Sequence, residues 1–403
     1  MRVAILADES LPSGTRAHSK MLHDLAVEIQ RRGHKSVIIS PGKPDQSERL
    51  VVDYVENIEN WRFRSGYTRG KGLFVRAINE WLLSYRAWLA IKSALVEEDF
   101  NLCINYSPTI FFGPLAKRLK NRGAYVFLVL RDLFPQWAID KGIITQGSIL
   151  ARFFKYYEKK NYALSDCIGL QSPKNLEIFK DKNPSYNNVI VLFNWTSDVK
   201  KREARDKTNI RGRYNLENKT IFFYGGNIGR AQDMTNIMTL AKKMRSHKSA
   251  FFLIVGEGEE FQLINQLKKD WDLDNVLILG SVSQAEYRNF LHVIDVGLLS
   301  LSGCHSAHNF PGKLLGYMEY SIPILGSINR GNDLIPMVND AGAGYIHING
   351  EDDLLLKSAM QLADDVQLRK EQGDKSRRLM QEKFTVGAAA DAIFAQFHYK
   401  DID

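Results

Sequence analysis

Cysteine is nearly absent from this chain: three in 403 residues, at Cys103, Cys167 and Cys304. They are widely spaced, and two fall in apolar runs that read as buried strands. Neither a disulfide framework nor a zinc site follows, and a reducing compartment fits best. Long hydrophobic runs are absent as well. The longest uncharged apolar-rich stretch, 101–116, is broken by Asn105, Pro108 and Gly113, so any membrane contact is expected to be peripheral. The apolar run 3–7 meets Asp8 and Glu9 at once and is too short for a signal-peptide core. The first loop carries no Gly-x-Gly-x-x-Gly, and the next apolar run ends at Ser40 rather than at an acidic residue, which argues against a dinucleotide site.

What is present is ordinary globular material. The chain is 44% hydrophobic and 25% charged, which suggests neither disorder nor a polytopic membrane protein. At 403 residues it is too long for one core and predicts two domains. Charge is unevenly shared. Residues 1–200 hold 29 Lys and Arg against 20 Asp and Glu, whereas the rest hold 25 against 26. The basic first half points to a polyanionic partner: anionic lipid, nucleic acid or a phosphate-bearing substrate.

Residues 3–7 read as a buried strand. A loop over 8–15 and a helix with Ala17, Met21, Leu22, Leu25 and Ile29 on one face follow, and Gly33 can cap that helix before a strand at 37–39. Short apolar runs at 51–55, 102–105, 125–130, 167–170 and 189–193 recur between helical patterns, implying a parallel sheet covered on both faces. Residues 197–218 are polar and charge-dense and form the predicted linker. A second alternation of strands and helices starts at Thr220 and runs to the end of the strand predicted at 293–299. The expected fold class is therefore α/β, two Rossmann-like doubly wound domains over 1–196 and 219–383, with a cleft between them. Ligands in such sheets bind beyond the carboxyl ends of the strands.

The loops at those ends carry the candidate chemistry. Ser13, Gly14 and Thr15 stand at the first strand-to-helix junction, where a helix N-terminus favours an anion; a flexible turn is the equal alternative. Tyr224-Gly225-Gly226-Asn227-Ile228-Gly229-Arg230 follows a strand directly. Its glycines can expose backbone donors to phosphate, and Arg230 adds a bidentate cation. Gly256-Glu257-Gly258 and Gly280-Ser281-Val282 recur after successive strands, where backbone can lie against a nucleobase. Lys313 opens a helix, a place the helix dipole disfavours for a cation; a bound anion would resolve the conflict, and a solvated lysine is the plainer alternative. Arg131 and Asp132 end a strongly apolar strand, where Asp132 either orients a hydroxyl or caps a turn. Finally, Trp61, Arg62, Phe63, Arg64, Arg69 and Lys71 form a basic–aromatic lead-in to a helical pattern at 74–89. It is read as the contact with an anionic membrane surface. Stacking on nucleic acid is the weaker alternative, and no nucleic-acid partner is expected.

These motifs together resemble a family 4 glycosyltransferase of the GT-B architecture. The resemblance runs through the Ser13-Gly14 loop, Gly33-His34, Asn194-Trp195, Gly225-Gly226-Asn227, Gly256-Glu257-Gly258, Gly280-Ser281-Val282, and the Lys313 helix ending in Ile322-Pro323-Ile324-Leu325. More narrowly it is similar to WbuB-type N-acetyl-L-fucosamine transferases of O-antigen biosynthesis. The resemblance implies a retaining, metal-independent transfer from a UDP-sugar, which is a substrate rather than a cofactor, to a lipid-diphosphate-linked sugar. The enzyme would sit peripherally on the cytoplasmic face of the membrane. Arg230 and Lys313 would stabilise the leaving diphosphate. Asp132, and secondarily His18, would orient the acceptor or the donor sugar, with Ser13, Gly14, Thr15 and Arg131 around it. A C-terminal helix over about 384–403 would cross back onto the first domain. Two departures stand out: the family's Glu-x7-Glu pair falls at His308 and Gly316, leaving Glu319 as the possible ribose contact, and Arg131 replaces a histidine. Asp272-Leu273-Asp274 superficially matches a metal-holding Asp-x-Asp but precedes its strand, so it reads as a solvated loop and no metal is expected. A nucleotide-sugar epimerase and a non-catalytic nucleotide- or lipid-binding scaffold are the competing readings.

Overall fold

A computed structural model describes residues 1–12, 17–67, 78–96, 98–107, 109–131, 134–140, 142–197, 210–304 and 310–398. The chain divides into two compact units, Met1–Ser197 with Val386–Asp403, and Asp198–Thr385.

The first unit is built on β1 (Arg2–Leu6), α1 (Ala17–Arg31), β2 (Lys35–Pro41), β3 (Leu50–Val55), β4 (Ile58–Phe63), α2 (Leu83–Ile91), β5 (Leu102–Tyr106), α3 (Gly113–Lys120), β6 (Tyr125–Leu130), α4 (Gln136–Asp140), α5 (Ile149–Leu164), β7 (Cys167–Leu170), α6 (Pro173–Lys182) and β8 (Val189–Val191). Its sheet runs β3-β4-β2-β1-β5-β6-β7-β8, parallel except for the β3–β4 pair. β1, β5 and β6 are buried at every position, as strands sandwiched between helix layers must be. Ile5, Ile104 and Phe127 face one layer and Ala4, Cys103 and Val126 the other.

The membrane lead-in is where the structure departs most from expectation. Trp61 and Phe63 are core residues of β4: Trp61 lies edge-on to Phe100 at 5.8 Å and Phe63 to Phe112 at 6.4 Å. Arg62 binds Asp53 at 3.1 Å and donates to the Leu11 carbonyl. The cause is periodicity. Aromatics at 61 and 63 alternating with arginines at 62 and 64 have a period of two, which is a strand's pattern and not an interfacial helix's. Arg64 is exposed; Arg69 and Lys71 lie outside the described residues.

The second unit contains α7 (Ile210–Arg213), β9 (Thr220–Gly225), α8 (Met234–Lys243), β10 (Ala250–Val255), α9 (Phe261–Asp270), β11 (Val276–Leu279), α10 (Gln284–Leu291), β12 (Val296–Ser300), α11 (Gly312–Glu319), β13 (Ile324–Ile328), α12 (Leu334–Asp340), β14 (Gly344–Ile348), α13 (Asp352–Asp364) and α14 (Val366–Lys383). Its sheet is parallel in the order β11-β10-β9-β12-β13-β14. Strand order reverses at β9, which makes its carboxyl end a topological switch point. Part of the predicted linker is folded here. Ile210 is buried, and Arg211 clasps Asp295 at 2.7 Å and the Val293 carbonyl at 2.6 Å. The last helix, α15 (Val386–His398), belongs to the first unit, where Ala389, Ala390 and Ile393 join the core beside α1 and Arg32 binds Asp391 at 2.5 Å.

Candidate active site

A cavity of about 550 Å³ opens at the carboxyl ends of β9, β10 and β11, lined by Gly225, Gly226, Asn227, Gly256, Glu257, Ser281, Val282, Gln284, Tyr287, Gly312 and Lys313, with Val255 at its base. Three sequence-distant loops meet there because their backbones come close. A Cβ on Gly256 would run into the Gly226 carbonyl, and one on Gly258 into that of Ile228, so only glycine lets the first two loops seat together. That seating uses up donors. The Gly226 amide donates to Val255 at 2.9 Å, Ile228 to Glu257 at 2.8 Å and Gly256 to Leu279 at 3.1 Å. The glycine loop is therefore a rigid wall rather than a row of free amides.

The positive end of the cavity lies at α11. Its first turn leaves backbone N–H groups without helical partners, and Lys313 stands in that turn with Nζ 3.3 Å from the centroid of the Tyr224 ring. Tyr224 is fully buried and donates its hydroxyl to the Asn227 carbonyl at 2.6 Å, which ties the ring under the ammonium to the glycine loop. Among the described residues no carboxylate pairs with Lys313. Burial pushes its ammonium well below the ordinary lysine range, although the residue as a whole is only half-buried and faces the cavity. A desolvated, uncompensated cation beside a helix N-terminus is a site for an anion. Burial also raises the Tyr287 phenol to about 12, so Tyr287 meets a ligand as a neutral donor.

The remaining candidates fall in different places. Arg230 follows the glycine loop but does not line the cavity; its side chain is 82% exposed, 3.8 Å from Glu259. Gly280 lies in a neighbouring pocket of about 320 Å³ that shares Ser281 and Val282 with the first. Glu319 closes α11 at the end opposite Lys313, about 9 Å along the axis at the usual helical rise, where its carbonyl accepts from Arg377 at 2.7 Å. It is not among the cavity's lining residues. Among the described residues, the one carboxylate that lines the cavity is Glu257, held by the Ser281 hydroxyl at 3.0 Å. Asp272 and Asp274 both engage Arg245, at 2.6 and 3.5 Å, ahead of β11 and away from the carboxyl ends. Sequence reading passed over Tyr287 and Gln284, whose signal was their place in the first turn of a helix following a glycine loop.

In the first unit Ser13, Gly14, Thr15 and Asp132 lie outside the described residues. His18 is described: Nε2 sits 2.8 Å from Asp8 and 3.8 Å from Glu9, and the ring stacks on Tyr106 at 5.5 Å. Ser19 donates to Glu9 at 2.8 Å. An imidazole held between two carboxylates at the ends of β1 and β5 is an arrangement able to accept or relay a proton. Arg131 directly follows β6, and its carbonyl accepts from Gln171.

Two doubly wound parallel-sheet units in tandem, with a ligand-sized cavity at a switch point, define the GT-B class. The α,α-trehalose-phosphate synthase (UDP-forming) of Burkholderia xenovorans shares the fold, with a TM-score of 0.72 over 98% of this chain and 100% of that one at 10% identity. Residues 206–379, which carry the cavity, match the family model Glycosyl transferases group 1. It is similar to the probable glycosyltransferase WbjE of Pseudomonas aeruginosa, 24% identical over 225 residues, and to the N-acetyl-alpha-D-glucosaminyl L-malate synthase of Bacillus anthracis, 26% over 182. The first match covers 54% of each chain and the second 45% of this chain and 46% of the relative, so the chain spans about half the length of both.

Proposed function

We propose that the protein is a glycosyltransferase that moves an N-acetylated deoxyamino-sugar, N-acetyl-L-fucosamine, from a UDP donor to a lipid-diphosphate-linked sugar in O-antigen or surface-polysaccharide assembly. The observation that carries the reading is the Lys313 ammonium at the head of α11, desolvated over the Tyr224 ring and, among the described residues, paired with no carboxylate. UDP fits there. The diphosphate would take Lys313 and the α11 amides, and the uracil would lie along Ser281 and Val282. Glu257 would accept from a ribose hydroxyl, in place of the missing family carboxylate. A leaving diphosphate held by a fixed cation is stabilised most as its charge develops, which makes Lys313 the main catalytic cation and requires no metal at that position. The transfer would retain configuration, the departing phosphate taking the acceptor's proton on the face it leaves. His18, set by Asp8 and stacked on Tyr106, would orient the acceptor.

The lipid part of the reading rests on a surface. No helix among the described residues is long and apolar enough to cross a membrane. Yet Ile149, Leu150, Phe153 and Tyr156 are exposed on α5, Ile149 at 87%, beside exposed Trp81. Trp81 bonds the Tyr157 hydroxyl at 2.7 Å. Arg152, Lys155 and Lys160 flank these side chains on the same helix, Lys160 lying over the Tyr156 ring at 4.3 Å. Aromatics and cations in this mixture suit the interface of an anionic bilayer and replace the 61–63 segment as the membrane contact.

The test is transfer from UDP-N-acetyl-L-fucosamine to an N-acetylglucosaminyl diphospholipid, followed by mass spectrometry of the product. Lys313→Ala is expected to cut turnover by roughly 10²–10³. Folded protein that extends no acceptor with any of several UDP-sugars would exclude the reading; interconversion of the donor alone would indicate an epimerase.

A further inference from the structure

We propose that a second cavity, lined by Arg49, Arg64 and Arg86 in the first unit, binds a diphosphate group: the head of the lipid-linked acceptor. The identity of the lipid rests on the function proposed above; the diphosphate rests on the cavity itself.

This cavity, of about 560 Å³, is also lined by Pro44, Ser65, Gly66, Tyr67, Asn79 and Leu89. Pro44 follows the end of β2 and Ser65 the end of β4, while Arg49 immediately precedes antiparallel β3. All three chain segments thus meet at the carboxyl edge of the parallel sheet, the edge where ligands bind. Three guanidiniums line one concavity, and among the described residues none of them pairs with a carboxylate. Other arginines of this unit do find one: Arg32 binds Glu28 at 2.7 Å, Arg62 Asp53 at 3.1 Å and Arg122 Asp99 at 2.5 Å. Here three gather around one concavity without such a partner, and like charges gathered there repel unless an anion joins them.

Two of the arginines, Arg86 and Arg64, are also held in place. Arg86 Nη1 donates to Asn79 Oδ1 at 2.8 Å, and buried Asn79 donates in turn to the Tyr67 carbonyl at 3.0 Å. Gly66 permits this, because a Cβ there would collide with the Asn79 amide. Arg64 Nη1 reaches the Ser47 carbonyl at 3.3 Å. Each guanidinium has five N–H donors in a planar fork, so most remain for a ligand. Planar forks from several sides match the tetrahedral oxygens of a diphosphate, which can take bidentate bonds from each.

A lipid source is favoured by what shares α2 with Arg86. Tyr85, adjacent in sequence, is exposed, and exposed Trp81 stands just before the helix, bonded to α5. One helix therefore borders both the anion cavity and the apolar face, as an amphiphile with a diphosphate head requires.

The experiment is calorimetric titration of the full chain, saturated with UDP so that the Lys313 cavity is filled, using farnesyl diphosphate, inorganic pyrophosphate and inorganic phosphate. Wild type is expected to bind one farnesyl diphosphate. Arg49→Gln/Arg64→Gln, two exposed positions whose change should spare the fold, and Arg86→Gln should each weaken it by at least about 10-fold while leaving UDP affinity unchanged. Farnesyl diphosphate binding more tightly than pyrophosphate would confirm the diphosphate site with a lipid contribution; equal binding would confirm it as a reader of the anion alone. Binding of farnesyl diphosphate through these arginines by a protein that ignores UDP would keep this site and sink the donor assignment. Unchanged farnesyl diphosphate affinity in the variants, or no binding to wild type that does bind UDP, would overturn the proposal.

Discussion

The two units present cations to a cavity in opposite ways. In the second unit a single ammonium, Lys313, is desolvated against the Tyr224 ring, and glycine loops pressed together at Gly226 and Gly256 form the wall. In the first, several guanidiniums line an open cavity next to exposed aromatics. A desolvated cation has a large effect per charge and demands a defined ligand pose. A cluster of solvated arginines acts by number and geometry, tolerates a mobile amphiphile and loses strength with salt. The first arrangement suits a leaving group and the second a lipid head.

That contrast can be broken at the membrane face first. Replacing Ile149, Phe153 and Tyr156 together by serine removes apolar area that would otherwise leave water at a bilayer. Binding to anionic vesicles in a sedimentation assay is expected to fall by about 10- to 100-fold with UDP affinity unchanged. A parallel loss of UDP binding would show that the units do not divide the work. Next in size is Glu257→Gln, expected to weaken UDP by about 10-fold through the loss of a charged acceptor for the ribose, with vesicle binding intact. A variant that binds UDP normally would leave the ribose without its proposed contact. The smallest effect is expected at Arg230→Ala, within about 3-fold on turnover, because the side chain is exposed and its pairing with Glu259 is long. A loss approaching that of Lys313→Ala would mean that Arg230 swings into the site.

Proton linkage sharpens the same contrast. Burial lowers the Lys313 pKa below its unfolded value of 10.5, so between the two values the folded state binds fewer protons than the unfolded one. The Lys313 contribution to stability therefore rises with pH across that window. A diphosphate beside the ammonium favours its charged form and raises the pKa again. In the same window UDP binding should take up a proton, measured as a dependence of the calorimetric heat on buffer ionisation enthalpy. Lys313→Met should abolish the uptake, whereas Arg49→Gln/Arg64→Gln should not alter it.

Much of the fold was legible in the sequence because buried parallel strands are short, continuous apolar runs, and 125–130, 167–170 and 276–279 coincide with β6, β7 and β11. The glycine loops were legible for a related reason: each directly follows such a run. What misled was chemistry without period. Trp61 and Phe63 drew attention as interfacial aromatics, yet their alternation with Arg62 and Arg64 marks a strand whose aromatic face is core. The exposed apolar face was harder to see. Ile149, Leu150 and Phe153 belong to a helix whose buried side is small, carried by Ala151, Asn161 and Tyr162, and sequence alone does not say which side of such a helix meets the sheet. Nor could it show that loop amides at Gly226 and Ile228 are consumed in joining loops, because their partners lie about 30 residues away. Glu319 illustrates the remaining limit: one turn of displacement from the family position at Gly316 takes the side chain away from the cavity.

Calorimetric titration of UDP into wild type and Lys313→Ala tests the anion site proposed at the head of α11 most directly. The predicted result is one saturable UDP site in wild type, weakened by roughly 100-fold in the variant, with an unchanged melting temperature in the absence of UDP or a slightly higher one, since a buried charge has been removed. Equal UDP affinity in the two proteins, or no UDP binding by folded wild type, would contradict it.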